Sequence, residues 1–108
     1  MLRYADQTMK RKTRVSHDDF VAKQLRDDPE FAVEYLKAAI EDETDPRVLL
    51  IALRRVAEAC GGIAAIAKKA GVERESLYRA LSSNGNPRFS TLSAVAKAVG
   101  LRVTLERA

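Results

Sequence analysis

Apolar residues in the first part of the chain recur three or four positions apart, the spacing of one face of a helix. The pattern predicts three helices: one that starts after Ser16 and stops near Asp28, one over roughly 29–42 and one over roughly 46–60. Their apolar faces comprise Phe20, Val21 and Leu25; Ala32, Tyr35, Leu36, Ala39 and Ile40; and Leu49, Leu50, Leu53, Val56, Ala57 and Cys60. The large residues Phe20, Leu25, Phe31 and Tyr35 are expected in the core rather than at an interface.

Two aspartate–proline pairs mark the expected starts of the second and third helices. Asp28 and Asp45 can each accept hydrogen bonds from the unpaired amides of a helix start. The proline that follows each aspartate has a fixed φ that suits the first helical position. Gly61 and Gly62 then end the third helix, because glycine adopts the left-handed conformation of a helix C-cap.

The segment GIAAIAKKAGVERESLYRALS contains two short apolar stripes separated by a glycine. Helices are expected at about 63–69 and 74–82, and Gly71 lies between them, four residues after the small Ala67. Glycine permits the positive φ of a tight turn, and a small residue permits close crossing of two helices. This is the spacing of a helix-turn-helix, whose second helix can enter the major groove of DNA.

The following sequence, SSNGNPRF, predicts a turn, and Ser90 or Thr91 is expected to cap a last helix that reaches Val99. In the tail after this helix, the spacing of apolar residues changes from three or four positions to two. Leu101, Val103 and Leu105 alternate with polar residues, which predicts a half-buried β-strand. One strand cannot satisfy its own hydrogen bonds, so a second copy of the chain is the economical partner, with these three residues as dimer contacts.

The outer face of the second short helix carries the candidate DNA contacts. Arg74, Glu75 and Ser76 lie at its start, the end that usually meets base edges, and Arg79 lies about one turn further on. Arginine can donate two hydrogen bonds to guanine, and glutamate can accept one from cytosine. Tyr78 points more to one side, toward a phosphate or a thymine methyl group.

Four further residues are expected to contact the phosphate backbone beside this helix: Lys68, Lys69, Asn84 and Arg88. The Ala-x-x-x-Gly frame also arises by chance in small helical proteins. If this frame is the only evidence, there is an alternative to DNA contact: the charges on the outer face of the helix simply face solvent. The net charge of +5 over residues 61–108 favours DNA.

Charge changes sign along the chain. The total is +4, but residues 1–15 carry +4 and residues 16–46 carry −7. Residues 1–15 are polar, basic and aperiodic, so a flexible arm is expected there. Opposite signs in different segments indicate two surfaces for two kinds of partner.

Composition excludes several classes of protein. With 46% hydrophobic and 31% charged residues, the 108-residue chain reads as one domain. It lacks the ~18 consecutive apolar residues of a membrane span and a signal-peptide core, so a cytoplasmic location is expected. Cys60 is the single cysteine and is expected to be a buried, inert thiol. His17 is the only histidine, so we expect no enzyme, no metal site and no cofactor.

The second half of the chain resembles helix-turn-helix proteins of the phage-repressor and Cro (XRE) type over GVERESLYRALSSNGNPRFSTLSAVAKAVGLRV. It is more similar to the HigA-type antitoxins, the addiction module antidote proteins. The resemblance extends upstream through DPEFAVEYLKAAIEDE and LLIALRRVAEACGG, and covers roughly residues 18–105. SLYRALS together with GNPRFSTL is fairly specific to that group. The basic arm and the loop at Thr44–Pro46 depart from its pattern.

The resemblance implies a bacterial dimeric repressor that binds its own operator and sequesters a toxin, typically a RelE-like ribonuclease. Arg74, Glu75, Ser76 and Arg79 match the base-contacting positions. The residue pattern and this resemblance together predict an all-α fold with five or more helices, a helix-turn-helix of the phage-repressor type and a short C-terminal β-strand.

The chain thus divides into a basic arm (1–15), acidic helices that form a candidate toxin-binding region (16–60), and a DNA-binding and dimerisation region (61–108). The acidic helices could cover a small basic toxin, or present an ordinary solvated face. Two other functions stay open: a phage-type repressor without a toxin partner, and a protein-interaction module that does not bind DNA.

Overall fold

Six helices form the described part of the chain, which in this computed structural model comprises residue 17 and the ranges 19–42 and 45–108. The first, α1, is described over residues 19–27. The others are α2 (Pro29–Glu41), α3 (Arg47–Ala59), α4 (Ile63–Ala70), α5 (Arg74–Ala80) and α6 (Phe89–Ala98). The helical part of the fold prediction is confirmed. The predicted arm at 1–15 and the predicted helix start at Ser16 lie outside the described residues.

Asp28 caps α2 as the sequence predicts. Its Oδ1 accepts hydrogen bonds from the backbone N–H groups of Glu30 at 3.1 Å and Phe31 at 3.2 Å. Pro29 occupies the first helical turn, where a missing N–H costs nothing. The start of α2 is therefore set by adjacent residues.

The start of α3 lies one residue later than predicted. Pro46 forms a turn with no side-chain cap, and the helix begins at Arg47. Asp45 still accepts a hydrogen bond from the Arg47 N–H at 2.9 Å, so the aspartate satisfies the first helical amide as expected.

One hydrophobic core joins all six helices. Its least exposed large side chains are each at most 1% exposed, and they are Val56, Ile66, Leu77, Leu81 and Val95. Helix α4 packs against both α5 and α6, and α2 packs against α3. Leu25 of α1 is buried in the same cluster, so the acidic and basic segments share one core.

The turn between α4 and α5 has the predicted geometry. Gly71 adopts the left-handed conformation, with φ 73° and ψ 29°. The Val72 N–H donates to the Ala67 carbonyl at 3.0 Å and closes the turn. Ala67 is buried, as a small residue at a close helix crossing should be.

The expected cap of the last helix is wrong. Helix α6 begins at Phe89, one or two residues before the predicted caps Ser90 and Thr91. Its N-cap is Arg88, which is extended (φ −70°, ψ 155°) after Pro87 and makes no side-chain cap. Backbone geometry after the proline sets this start.

The predicted C-terminal β-strand is also wrong, because no residue of the described chain forms a strand. The Leu101 N–H donates to the Ala96 carbonyl at 2.8 Å, which closes the end of α6, and Leu101 packs against the core. Beyond it, Val103 is 45% and Leu105 98% exposed. No other described segment lies alongside the tail to form a ladder, so alternation of residue type alone does not make a strand here.

Candidate nucleic-acid interface

Helix α5 is anchored by one face and exposes the other. Leu77 and Leu81 are each 1% exposed and pack in the hydrophobic core. The predicted base contacts Arg74, Glu75, Ser76 and Arg79, together with Tyr78, are all exposed. A seven-residue helix has little stability of its own, so these two leucines hold the exposed face in place.

The structure brings four of these five residues together. Arg74 and Tyr78, and likewise Glu75 and Arg79, are four positions apart and therefore neighbours on the helix surface. All four line one open depression, whereas Ser76 does not. Within the described residues, neither the Arg74 nor the Arg79 side chain has a hydrogen bond or an ion pair. Their guanidinium groups are free to bind an external acceptor.

Arg54 of α3 lies beside this face and was not identified from the sequence. Its Nη2 donates a hydrogen bond of 2.9 Å to the Tyr78 hydroxyl, and its Cζ lies 4.6 Å from the centre of the Tyr78 ring. Its Nε donates to Glu58 Oε1 at 3.1 Å. The hydrogen bond to Glu58, and next that to Tyr78, raise the pKa of Arg54. The guanidinium thus links α3 to α5.

The four predicted phosphate contacts are exposed but lie outside that depression: Lys68, Lys69, Asn84 and Arg88. Lys68 and Lys69 occupy the last turn of α4, and Arg88 precedes α6. The structure therefore places positive charge at two segments outside α5, the last turn of α4 and the residue that precedes α6.

The turn after α5 is fixed to the end of that helix. The Ser82 hydroxyl donates to the Arg79 carbonyl at 2.7 Å, and the Gly85 N–H donates to the Ser82 carbonyl at 2.9 Å. A Cβ atom at Gly85 would overlap the carbonyl of Ala80. Only glycine lets the turn approach the helix this closely, so the position of Asn84 relative to α5 is set by backbone contacts.

A family model described as "Probable addiction module antidote protein" matches residues 16–107. This chain belongs to that family. It is also 36% identical, over 87 residues, to a protein of Haemophilus influenzae described as uncharacterized; the match covers 81% of this chain and 87% of that protein. No solved structure gives a significant match. The resemblance to antidote proteins is confirmed, and its HigA-type subdivision stays a prediction.

The family match extends over the acidic helices of the antidote as well as over α5. Several of its acids are engaged within the chain: Asp27 bonds Arg26 at 3.0 Å, and Asp45 bonds Arg47 at 3.0 Å. These hydrogen bonds lower the pKa of both carboxyl groups. Four acidic side chains have no partner among the described residues: Asp19, Glu30, Glu34 and Glu41. Glu30, Glu34 and Glu41 fall on one exposed side of α2.

The expected burial of aromatic residues in the antidote is partly wrong. Leu25 is buried, and Phe31 and Tyr35 are partly buried with their rings stacked at 6.4 Å. Phe20 is 56% exposed, because no described element covers that side of α1. Phe20 is thus an exposed apolar side chain on α1, next to Asp19 in the sequence.

Cys60 is the C-cap residue of α3. The thiol is partly buried rather than fully buried, and burial raises its pKa despite nearby Lys69 and Arg26. Its Sγ lies 3.8 Å from the Leu25 carbonyl oxygen. No group of three or more metal-ligating side chains occurs among the described residues. None of the helices described is long and apolar enough to cross a membrane.

Proposed function

We propose that this antidote binds double-stranded DNA through α5 and represses its own operon, while its acidic helices neutralise a basic toxin. The observation that carries the DNA-binding proposal is a pair of exposed arginines on α5, Arg74 and Arg79, whose side chains have no partner among the described residues. Such a short helix, with one face buried and two guanidinium groups that find no acceptor in the described part of the chain, is suited to bind an external partner.

DNA supplies acceptors that match this face. Arg74 and Arg79 can each donate two hydrogen bonds to guanine O6 and N7, and Glu75 can accept one from cytosine N4. In this proposal the cations on α4 and before α6 neutralise phosphates, which releases counterions and makes binding fall with salt. Repression follows from occupation of the promoter.

The experiment starts by selecting bound sequences from a library of random duplexes. A mobility shift on the selected duplex then compares the native protein with Arg79→Ala. We expect a loss of ~1–3 kcal/mol and a relaxed preference at one base position. Arg107→Ala, an exposed arginine in the C-terminal tail, is the matched control and should keep the preference.

Equal losses on selected and random DNA would show that Arg79 contacts phosphate only. A selection that enriches no sequence at moderate salt would reject DNA binding and favour a protein-interaction module.

The antidote part of the proposal rests on the family and on the acidic surface. A toxin that cleaves RNA, such as a RelE-like ribonuclease, has to be basic to bind its substrate, so the exposed acids of α2 would attract it. Phe20 would supply the buried contact at the centre of such an interface, because charges alone mainly set the rate of encounter.

Co-expression with the neighbouring reading frame and co-purification test this part. Phe20→Ala should weaken toxin retention by about tenfold or more. Ile51→Ala, on α3 and 46% exposed, is the matched control and should retain the toxin. Retention by the Phe20 variant would remove α1 from the interface. If no neighbouring product is retained, the alternative of a repressor without a toxin gains support.

A further inference from the structure

Two polar side chains from different helices meet at the edge of the α5 face. Arg54 of α3 and Tyr78 of α5 lie 24 positions apart in the sequence, and the Arg54 Nη2 donates to the Tyr78 hydroxyl at 2.9 Å. The Arg54 guanidinium also lies over the Tyr78 ring, with its Cζ 4.6 Å from the ring centre. Tyr78 lines the depression on α5, whereas Arg54 does not. The pair therefore lies at the rim of that depression.

Arg54 is held in place but keeps unused donors. A guanidinium group has about five N–H donors. One is used by Glu58 Oε1, which accepts from Nε at 3.1 Å, and one by the Tyr78 hydroxyl. Nη1 has no partner among the described residues. A side chain that is already fixed at two atoms loses little further freedom on binding, so the remaining donors of Arg54 are preorganised.

The Tyr78 hydroxyl also keeps its own proton for an external acceptor. Its oxygen accepts the hydrogen bond from Arg54, and a phenolic hydroxyl can donate at the same time. No acceptor for this proton occurs among the described residues. Tyr78 is 49% exposed and the Arg54 side chain 35%. Two adjacent groups, one of them a cation, thus have donors that are open to solvent.

A phosphate group fits this pair better than a base edge does. A phosphate carries negative charge and more than one free oxygen, so it can accept from Arg54 Nη1 and from the Tyr78 hydroxyl together. Base edges are neutral and belong, in the proposed complex, to Arg74 and Arg79 within the depression. The sugar–phosphate backbone passes on either side of a helix in the major groove, and the pair lies beside α5.

We infer that Arg54 and Tyr78 together form a clamp, built from α3 and α5, for one phosphate of the DNA backbone. The inference rests on the proposed DNA binding and adds to it a contact from α3, outside the two helices of the helix-turn-helix. Glu58 is a positioning residue, since it holds the guanidinium through Nε and offers phosphate no donor. The clamp has no base preference of its own and fixes how α5 lies on the duplex.

Replacement of single phosphates by an uncharged methylphosphonate tests the inference. Each backbone position of the selected duplex is replaced in turn, and affinity is measured by mobility shift. The native protein should lose affinity at several positions. At one of them, Arg54→Ala and Tyr78→Phe should each lose less than about twofold, because the protein side of that contact is already missing. Tyr78→Phe keeps the aromatic ring, so its circular dichroism should match that of the native protein.

The unmodified duplex separates the two members of the clamp. Arg54→Ala should weaken binding by up to about fivefold, and Tyr78→Phe by about two- to threefold. Only Arg54→Ala should reduce the salt slope, since Tyr78→Phe removes no charge. Tyr35→Phe is the matched control, because the Tyr35 hydroxyl accepts from Arg55 Nη1 at 3.4 Å in a second arginine–tyrosine pair. It should respond to every methylphosphonate as the native protein does.

Additive losses at every position, in both clamp variants, overturn the inference and leave DNA binding intact, since the pair would then only hold α5 in place. Inorganic phosphate tests for a free anion and should not bind the free protein measurably at millimolar concentrations. Phosphate binding that Arg54→Ala abolishes, together with additive losses on every modified duplex, would assign the pair to a free anion and overturn the inference. A selection that enriches no sequence rejects the DNA-binding proposal and the clamp together, so the two failures are distinguishable.

Discussion

Helices α2 and α3 are each 13 residues long, whereas α4, α5 and α6 have 8, 7 and 10 residues. The longer pair begin beside aspartates whose carboxylates accept the first amides. The shorter three have no side-chain cap and are bounded by glycine or by extended backbone. The N-terminal helices are therefore defined locally, and the C-terminal helices depend on packing against one another.

The two regions also differ in how many of their charged side chains have partners within the described chain. In the region of α1–α3, ion pairs at Asp27 and Asp45 and a cap at Asp28 use part of the acidic charge within the chain. On α5, Arg74 and Arg79 have no such partner among the described residues. Both arginines of the α5 face therefore lack an ion pair among the described residues, and the position of this face depends on two buried leucines.

The largest expected effect comes from removing one of these leucines. Leu77→Ala should lower the free energy of unfolding by roughly 2–5 kcal/mol, because it leaves a cavity at a side chain that is 1% exposed. Urea denaturation measures the loss. Leu105→Ala, at a position 98% exposed, should change stability by less than about 0.5 kcal/mol. A small loss at Leu77 would show that α5 does not depend on the core.

A smaller effect is expected at the turn between α4 and α5. Gly71→Ala forces a Cβ into a left-handed conformation with φ 73°, at a cost of about 1–2 kcal/mol. DNA affinity should fall together with stability, since α5 loses its orientation relative to α4. Asp28→Ala is the comparison from the N-terminal region: it should cost about 1 kcal/mol through the lost cap and leave DNA affinity unchanged. If Gly71→Ala and Asp28→Ala reduced DNA affinity equally, the N-terminal and C-terminal regions would not differ in their contribution to DNA binding.

The sequence predicts those parts of α5 that depend on neighbouring residues. Leu77, Leu81 and the turn at Gly71 follow from periodicity and from glycine's tolerance of positive φ, so the exposed face was predicted as well. Arg54 was missed because it lies 24 positions from Tyr78. That contact requires α3 to cross beside α5, and no local pattern encodes such a crossing.

Two errors have a related physical cause. Phe20 lies on a predicted apolar face, but periodicity cannot show whether another element covers that face, and it is 56% exposed. The tail has the alternation of a strand, but a strand also needs a partner, and none is present among the described residues. Local pattern therefore predicts which side of an element is apolar, and tertiary packing decides whether that side is buried.

The smallest expected effect concerns Arg54, which adds a cation from α3 to the α5 face. Arg54→Ala should weaken DNA binding by about 1 kcal/mol or less and reduce the salt slope by about 1. Glu58→Gln should do the opposite and strengthen binding, because it removes a carboxylate 3.1 Å from the Arg54 Nε. Arg47→Ala, at the far end of α3 and paired with Asp45, is the control and should have little effect. Weaker binding by both Arg54→Ala and Glu58→Gln would mean that the cluster only holds α5 in position, since an electrostatic role requires opposite signs.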